Sequence, residues 1–461
     1  MKKLFSNKNK ILAGCFLLVI STLVSCKKLL QIPPNSPTAI TRAEQFSDSA
    51  SAISAVAGVY TYNYNPGFAF SDANLTITTA LSAQEISSTE SYGDEAEFYS
   101  YTVLPINTEV VTLWQYPYQS LYQVNDVLSA ITNNPNLSAS FIKQITGEME
   151  VTRALYYFNL VNLFGGVPLV TSIDYSTNAQ LPRASVSAVY AQILADLSDA
   201  RKKLPASYPS AGTDRPNLYT AIALLAKVHL YQKNWQAAYT EADSIIRSGI
   251  YSLEPNLSNV FLDGSVESIW QLPVASTYQG TAEASNFVPY SSTQIPNYVV
   301  TDSLLNQFET GDQRLTNWLG VSVVGNQNVY YPYKYKDKQP TSPATDFMVF
   351  RLGEIYLIRA EAAAELNNLS GALADVNTIR ARAGLGASTA NAASQSAVLA
   401  AVAKERRTEL CFEWGNRWFD LNRTGKAANA LPGYQGYNAL YPVPQAQIQL
   451  NTHLIQNPGY H

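Results

Sequence analysis

Two helix pairs of this chain, within 217–248 and 349–383, align with each other without a gap, and this internal repeat restricts the fold more than any other feature. Each reads as two apolar-periodic helices around a short polar turn. The first pair is 217–232 and 235–248 about Lys233-Asn234; the second is 349–367 and 370–383 about Asn367-Asn368. Ala226 falls on Ala360, Lys233-Asn234-Trp235 on Asn367-Asn368-Leu369, Ala238 on Ala372 and Ile245 on Ile379. A small residue at the start of each second helix lets the two helices cross closely, as tetratricopeptide repeats do. Two more helices are expected. One covers 142–164 through Ala154, Leu155, Phe158, Val161 and Leu163, stopping at Gly165-Gly166; the other covers 186–203 through Val189, Ile193, Leu194 and Leu197.

Residues 250–348 lose this periodicity and carry Pro255, Pro273, Pro289, Pro296, Pro332, Pro340 and Pro343. Short β-like runs fall at Ser268–Leu272 and Val321–Val324. A structureless loop of that length is improbable inside a compact domain, so the segment reads as an insertion with its own structure. The expected fold is mainly α: a tetratricopeptide-like helical-repeat scaffold with an inserted irregular α+β subdomain. The divisions are 41–249 (an N-terminal helical-repeat region with an irregular loop, 62–110), 250–348 (the insertion) and 349–461 (the C-terminal repeat and tail).

The start of the chain reads as an address. Lys2, Lys3, Lys8 and Lys10 precede the uncharged run Ile11 to Val24, too short to span a bilayer and typical of a leader over 1–25. It ends in Leu23-Val24-Ser25-Cys26, which has the form of a bacterial lipobox, with Cys26 as the lipid acceptor and 26–40 as a proline-containing tether. Lys27, not Asp, follows the cysteine, which favours the outer membrane. Losing four lysines and no acid takes the formal charge from −4 to −8. Only Cys411 then remains as a thiol, so no intrachain disulfide is expected, and its apolar helical setting reads as packing.

Charged residues make up 14% of the chain, against about 25% in an ordinary soluble protein, while tyrosine contributes 30 residues. A net negative charge argues against nucleic acid. Three His without metal-ligand spacing, and no G-x-S-x-G or glycine-rich phosphate loop, give no metal, cofactor or catalytic motif. Glu405, Glu409 and Glu413 lie four apart and could in principle form a glycosidase-like carboxylate pair. With Arg406, Arg407 and Arg417 close in sequence, they read instead as structural ion pairs, as do Glu354, Arg359 and Glu361. Tyrosines crowd two irregular segments. Segment 60–101 holds Tyr60, Tyr62, Tyr64, Tyr92, Tyr99 and Tyr101; segment 278–335 holds Tyr278, Tyr290, Tyr298, Tyr330, Tyr331, Tyr333 and Tyr335. Sugar rings need flat aromatic surface edged by polar groups, and tyrosine supplies both.

Several segments resemble the SusD/RagB family of outer-membrane nutrient-binding lipoproteins. Arg351-Leu352-Gly353-Glu354-Ile355-Tyr356-Leu357-Ile358-Arg359-Ala360-Glu361-Ala362 is similar to one family helix, and Asn377-Thr378-Ile379-Arg380-Ala381-Arg382-Ala383-Gly384 to the next. The run from Lys404 through Glu405-Arg406-Arg407-Thr408-Glu409-Leu410 to Arg417-Trp418-Phe419-Asp420-Leu421 and Arg423 follows in family order. Tyr441-Pro442-Val443-Pro444 and Gln456-Asn457-Pro458-Gly459-Tyr460 resemble the family endings. The resemblance implies a non-enzymatic, surface-facing lipoprotein that binds a glycan, or a peptide in some relatives, and delivers it to a TonB-dependent SusC-like transporter. It also implies that the ligand site lies in the irregular segments. There, the platform-and-edge candidates are Tyr92 with Asp94, Asn286 with Phe287, Tyr290, Tyr298, and Asn317 with Trp318. Trp235, Trp270, Trp414 and Trp418 read as core. A repeat scaffold with no soluble ligand is the alternative.

Overall fold

The structure, a computed structural model, describes residues 40–61, 70–90, 93–274 and 279–460. The leader, Cys26, the tether to residue 39 and Tyr62, Tyr64, Tyr92 and Tyr278 lie outside the described residues. The chain divides into two compact units, residues 1–54 and 55–461. In the first, helix α1 (Arg42–Gln45) starts in a capping box. The Thr41 hydroxyl accepts from the Glu44 N–H, and the Glu44 carboxylate accepts the Thr41 N–H at 2.7 Å. Helix α2 (Ser49–Thr61) begins in this unit.

The second unit is a stack of helices. After α3 (Asn74–Ser82), β1 (Ile86–Ser88) and α4 (Asp94–Ser100) come α5 (Thr108–Ile131), α6 (Ala139–Phe164), α7 (Tyr175–Asn178), α8 (Val186–Lys203), α9 (Leu218–Tyr231) and α10 (Trp235–Ser248). Helix α8 keeps the expected bounds, while α6 starts three residues early because Ser138 caps it through the Phe141 N–H. At its far end Gly165, with φ 75°, turns the chain out of α6. The C-terminal part holds β6 (Phe347–Arg351), α14 (Leu352–Glu365), α15 (Leu369–Arg382), α16 (Gln395–Glu409), α17 (Asn416–Arg423), α18 (Ala427–Ala430) and α19 (Gln445–Leu450).

The two sequence repeats are the hairpins α9/α10 and α14/α15, and α10 packs against α14 so that they stack. Their turns share backbone geometry: Lys233 and Asn367, equivalent in the repeat, both have left-handed φ, 60° and 63°. Helix α16 closes the stack, with Ala360, Val376 and Val402 in one buried cluster and Ala363, Ala364, Ala372 and Val398 in another. The small residues at the crossings are what permit this approach.

The insertion contains β2 (Ser268–Leu272), α11 (Ala282–Phe287), β3 (Tyr298–Val300), α12 (Asp302–Leu305), α13 (Gln313–Trp318), β4 (Leu319–Val324) and β5 (Gln327–Pro332). Strand β2 matches the expected run, and β4 begins two residues before its run. The strands form three antiparallel pairs, β1–β3, β2–β6 and β4–β5. The pair β2–β6 is buried throughout and runs directly into α14. Segment 62–110 is not wholly irregular: its described part contains α3, every residue of which is buried.

A buried charge network joins insertion and repeat. Arg351 donates to Glu267 (2.7 Å), Glu409 (2.6 Å) and Glu413 (2.8 Å). Arg314 meets Asp312 (2.8 Å) and Glu405 (2.6 Å), Arg382 meets Glu267 (2.6 Å) and Glu409, and Lys334 meets Glu413. Burial alone would raise the Glu409 carboxyl, but Arg382, Arg351 and Arg314 hold it well below the usual range. The three carboxylates are thus structural, as expected, though with other arginines. Arg406 instead pairs with Asp420 at 2.7 Å, and Arg407 donates to Ser303 at 2.8 Å. Glu405 and Glu409, one turn apart, share an inward face; Arg406 and Arg407, one and two positions further on from Glu405, point elsewhere. The helix also ends at Glu409, so Glu413 reaches the network from the following turn. Lys227–Glu354 (2.8 Å), Arg359–Asp375 (2.6 Å) and Arg423–Glu361 (2.7 Å) complete the expected structural pairs. Cys411 is buried, with its thiol pushed up to about 12 by burial.

Candidate functional site

The N-terminal helices and the insertion meet along a groove. Strand β1 pairs with β3 in the register Ile86↔Val300, Ser87↔Val299 and Ser88↔Tyr298, and the Thr89 N–H extends the ladder to the Asn297 carbonyl at 2.9 Å. This pairing carries Tyr298 to α4, where its hydroxyl donates to Glu95 Oε1 at 2.5 Å. On either side open two cavities of about 390 and 450 Å3, with Glu95 and Glu109 common to both walls. The smaller is lined by Asp72, Asn74, Tyr116, Gln279, Ser285 and Asn286 among others, the larger by Ser88, Glu90, Asp94, Thr108, Asn297 and Tyr298.

Not every carboxylate here is available. Asp94 Oδ2 accepts the Thr108 N–H at 2.6 Å, while Glu97 accepts from Leu104 N (3.0 Å) and Asn107 Nδ2 (2.7 Å). Those two acids fasten α4 to the start of α5, and Asn107 caps α5 through the Glu109 and Val110 N–H groups. Glu95 and Glu109 are left facing the groove. Burial, then Glu95, Asp72 and Asp94, pushes Glu109 up to about 7. Burial, then the charge of Asp72, takes Glu283 on α11 to about 8. Burial also raises Asp72 and Glu95. Asn74 donates to the Glu109 carbonyl at 3.2 Å, but its own Oδ1 is buried without a partner; Glu283 Oε2 is likewise unpartnered. Among the described residues no group of three His, Cys, Asp or Glu is placed to hold a metal ion.

Of the residues chosen from sequence, Asp94, Asn286 and Tyr298 meet on these walls. Phe287 lies beneath them, buried edge-on against Tyr298 with ring centres 5.5 Å apart. Tyr290 is 86% exposed, lines neither cavity, and has the Lys338 ammonium 3.6 Å from its ring centre. Trp318 is a correction. It is fully buried, its indole N–H donates to the Leu257 carbonyl at 3.0 Å, and Lys334, Arg351 and Arg382 stack over its ring. Such a ring has no face for a ligand. Asn317, next to it, is half-buried, lines neither cavity and accepts from Ser258 at 2.7 Å. Trp270, Trp414 and Trp418 are buried as expected, Trp235 only half so. Tyr92 and Cys26 lie outside the described residues.

Asp72, Asn74, Glu95, Glu109 and Tyr116 were not legible as a set, because aromatic content directs attention to tyrosines and away from acids. A signal for them exists: residues 43–142 contain no Lys or Arg and ten Asp or Glu.

The model of the SusD family matches residues 324–438, and that described as "Starch-binding associating with outer membrane" matches residues 36–230. SusD-like protein P2 of Formosa agariphila is 24% identical across 96% of this chain and 99% of its own length. A SusD superfamily protein from Bacteroides vulgatus superposes with a TM-score of 0.79 at 20% identity, covering 90% of this chain and 99% of that one. A laminarin-binding SusD-like protein superposes at 0.73 with 27% identity, over 90% and 100%. Two family models in chain order, over residues 324–438 and 36–230, full-length relatives and a shared helical fold agree that this chain is SusD-like.

Proposed function

We propose that this chain is a non-catalytic receptor, anchored by lipid on Cys26 to the outer membrane, that captures oligosaccharide in the α3/α4/α5–α11/β3 groove and passes it to a TonB-dependent SusC-like transporter. The observation that carries the reading is the groove itself: two adjoining cavities walled by Asn74, Asn286, Asn297, carboxylates and the Tyr116 and Tyr298 rings. Carboxylate and amide oxygens accept hydrogen bonds from neighbouring sugar hydroxyls, and the half-buried Tyr116 ring gives an apolar face. The family description and the laminarin-binding neighbour support a glycan. Glu409, the central carboxylate of the motif helices, is kept ionised by arginines and is buried, as is Glu405 beside it, out of a substrate's reach, which supports reading the motif carboxylates as structural.

Calorimetry against laminarin, starch and other oligosaccharides tests the reading. Binding is expected, weakened about tenfold or more by Asn286→Ala or Tyr116→Ala, the loss of one good polar or stacking contact. Silence on every glycan with binding of peptides would sink it in favour of a peptide receptor. Copurification of a β-barrel, unaffected by those substitutions, tests the transporter, and release of Cys26→Ala from membranes tests the anchor.

A further inference from the structure

The groove has a charge as well as a shape. Asp72, Glu95 and Glu109 line its smaller cavity and Glu90, Asp94, Glu95 and Glu109 its larger one, and neither wall contains Lys or Arg. The groups that act electrostatically on Asp72, Glu95, Glu109 and Glu283 are other carboxylates, a tyrosine and backbone or hydroxyl donors, with no cation among them. Lys338, which accepts from the Gly280 N–H through its carbonyl, directs its ammonium to Tyr290 and lines neither cavity. The cause lies in the sequence. Both groove-building segments fall in cation-free stretches, 43–142 and 248–313, the second containing seven acids.

A second observation points to what would fill it. Asn74 lines the smaller cavity, is 7% exposed, and its amide oxygen has no donor. That oxygen and the ionised forms of Glu95 and Glu109 are all acceptors. An alkylammonium offers three donors and no acceptor, a sugar hydroxyl offers one, and a carboxylate or sulfate offers none.

Resting on the glycan reading above, we propose that the groove selects by charge: it prefers a sugar chain bearing free amino groups to a neutral one, and refuses chains bearing uronate or sulfate. The titratable groups facing a bound sugar are Asp72 before α3, Glu90 before α4, Asp94 and Glu95 on α4, Glu109 and Tyr116 on α5 and Tyr298 on β3; Glu283 on α11 is buried behind α3, where it accepts from Thr76, and acts on the groove only through its charge. Lowering the pH from 8 to 6 adds protons to Glu109 and Glu283 and relaxes the refusal of a uronate, which itself stays ionised.

The experiment is calorimetry on the full chain with three β-1,4-linked hexamers, of glucosamine, glucose and mannuronate, at pH 7.5, where Glu109 is mostly ionised, and low salt. Glucosamine is expected to bind about tenfold tighter than glucose and mannuronate about tenfold weaker, with the spread shrinking in high salt. The double variant Glu95→Gln/Glu109→Gln, checked for folding by circular dichroism, is expected to narrow the spread between glucosamine and mannuronate. Equal affinities for the three hexamers, or a spread unchanged in the double variant, overturn charge selection and leave the glycan reading standing. Silence from all three overturns charge selection, and silence from laminarin and starch as well overturns the glycan reading.

Discussion

Arg351 shows how far one side chain can reach across this fold. Its guanidinium touches Glu267 from β2's approach, Glu409 at the end of α16 and Glu413 beyond it, while its ring neighbours are Phe261 and Trp318. Replacing it with Met leaves three buried carboxylates short of a cation, and removal of one partner from a buried pair typically costs about 3–5 kcal/mol. Arg351→Met is therefore expected to lower the denaturant midpoint strongly, and Arg351→Lys to rescue only part, because a compact ammonium lacks the five-donor planar fork that reaches Glu267, Glu409 and Glu413 together. A midpoint unchanged by Arg351→Met would refute this account of the network. Sequence marks Glu405, Glu409 and Glu413 as paired because their spacing is local. Their partners Arg314 and Arg351 lie 95 and 58 residues from Glu409, a separation that no local pattern encodes.

Among the elements, the repeats were readable for the same reason that the groove was not. A helix hairpin writes its period and turn into about thirty consecutive residues, so α9/α10 and α14/α15 emerge from Ala226, Ala360 and the Lys233 and Asn367 turns. The small residues are a requirement. Ala360 is fully buried against Val376 and Val402, and Ala360→Leu is expected to destabilise by about 1–3 kcal/mol through overpacking. Urea unfolding would show it, and an unchanged midpoint would mean that the stack has slack at this crossing. The groove depends instead on β1 finding β3, which brings Glu95 to Tyr298 across 203 residues. Tyrosine counting reached Asp94, Asn286 and Tyr298 but also led to Trp318, whose aromatic face serves the charge network. A flat ring beside an arginine and a flat ring beside a sugar look the same in sequence.

The whole molecule should carry the groove's acidity as a pH profile. Burial raises Glu85 and Glu109 to about 7 and Glu283 to about 8. For a carboxyl raised on folding, the unfolded state ionises first, so stability falls as pH climbs from about 4.5 through these values. Glu409, Glu413 and Asp420 are depressed and act oppositely, losing their contribution as pH falls below the ordinary carboxylate range. The melting temperature is expected to peak between roughly pH 4.5 and 6 and to be several degrees lower at pH 8.5. Glu109→Gln should recover part of that loss at pH 8.5 and little at pH 5. A melting temperature that rises from pH 5.5 to 8.5 would contradict the assignment. The charge network adds a consequence for how such a chain matures. Three of its five carboxylates, Glu405, Glu409 and Glu413, belong to the last sixty residues, long after Arg314, Lys334 and Arg351. A chain threaded through a pore with its N-terminus leading would therefore expose Lys334, and leave Arg314 with only Asp312 and Arg351 with only Glu267, before the last three carboxylates arrived. Folding would be withheld until almost the whole polypeptide had crossed, a timing device written in the order of its charges.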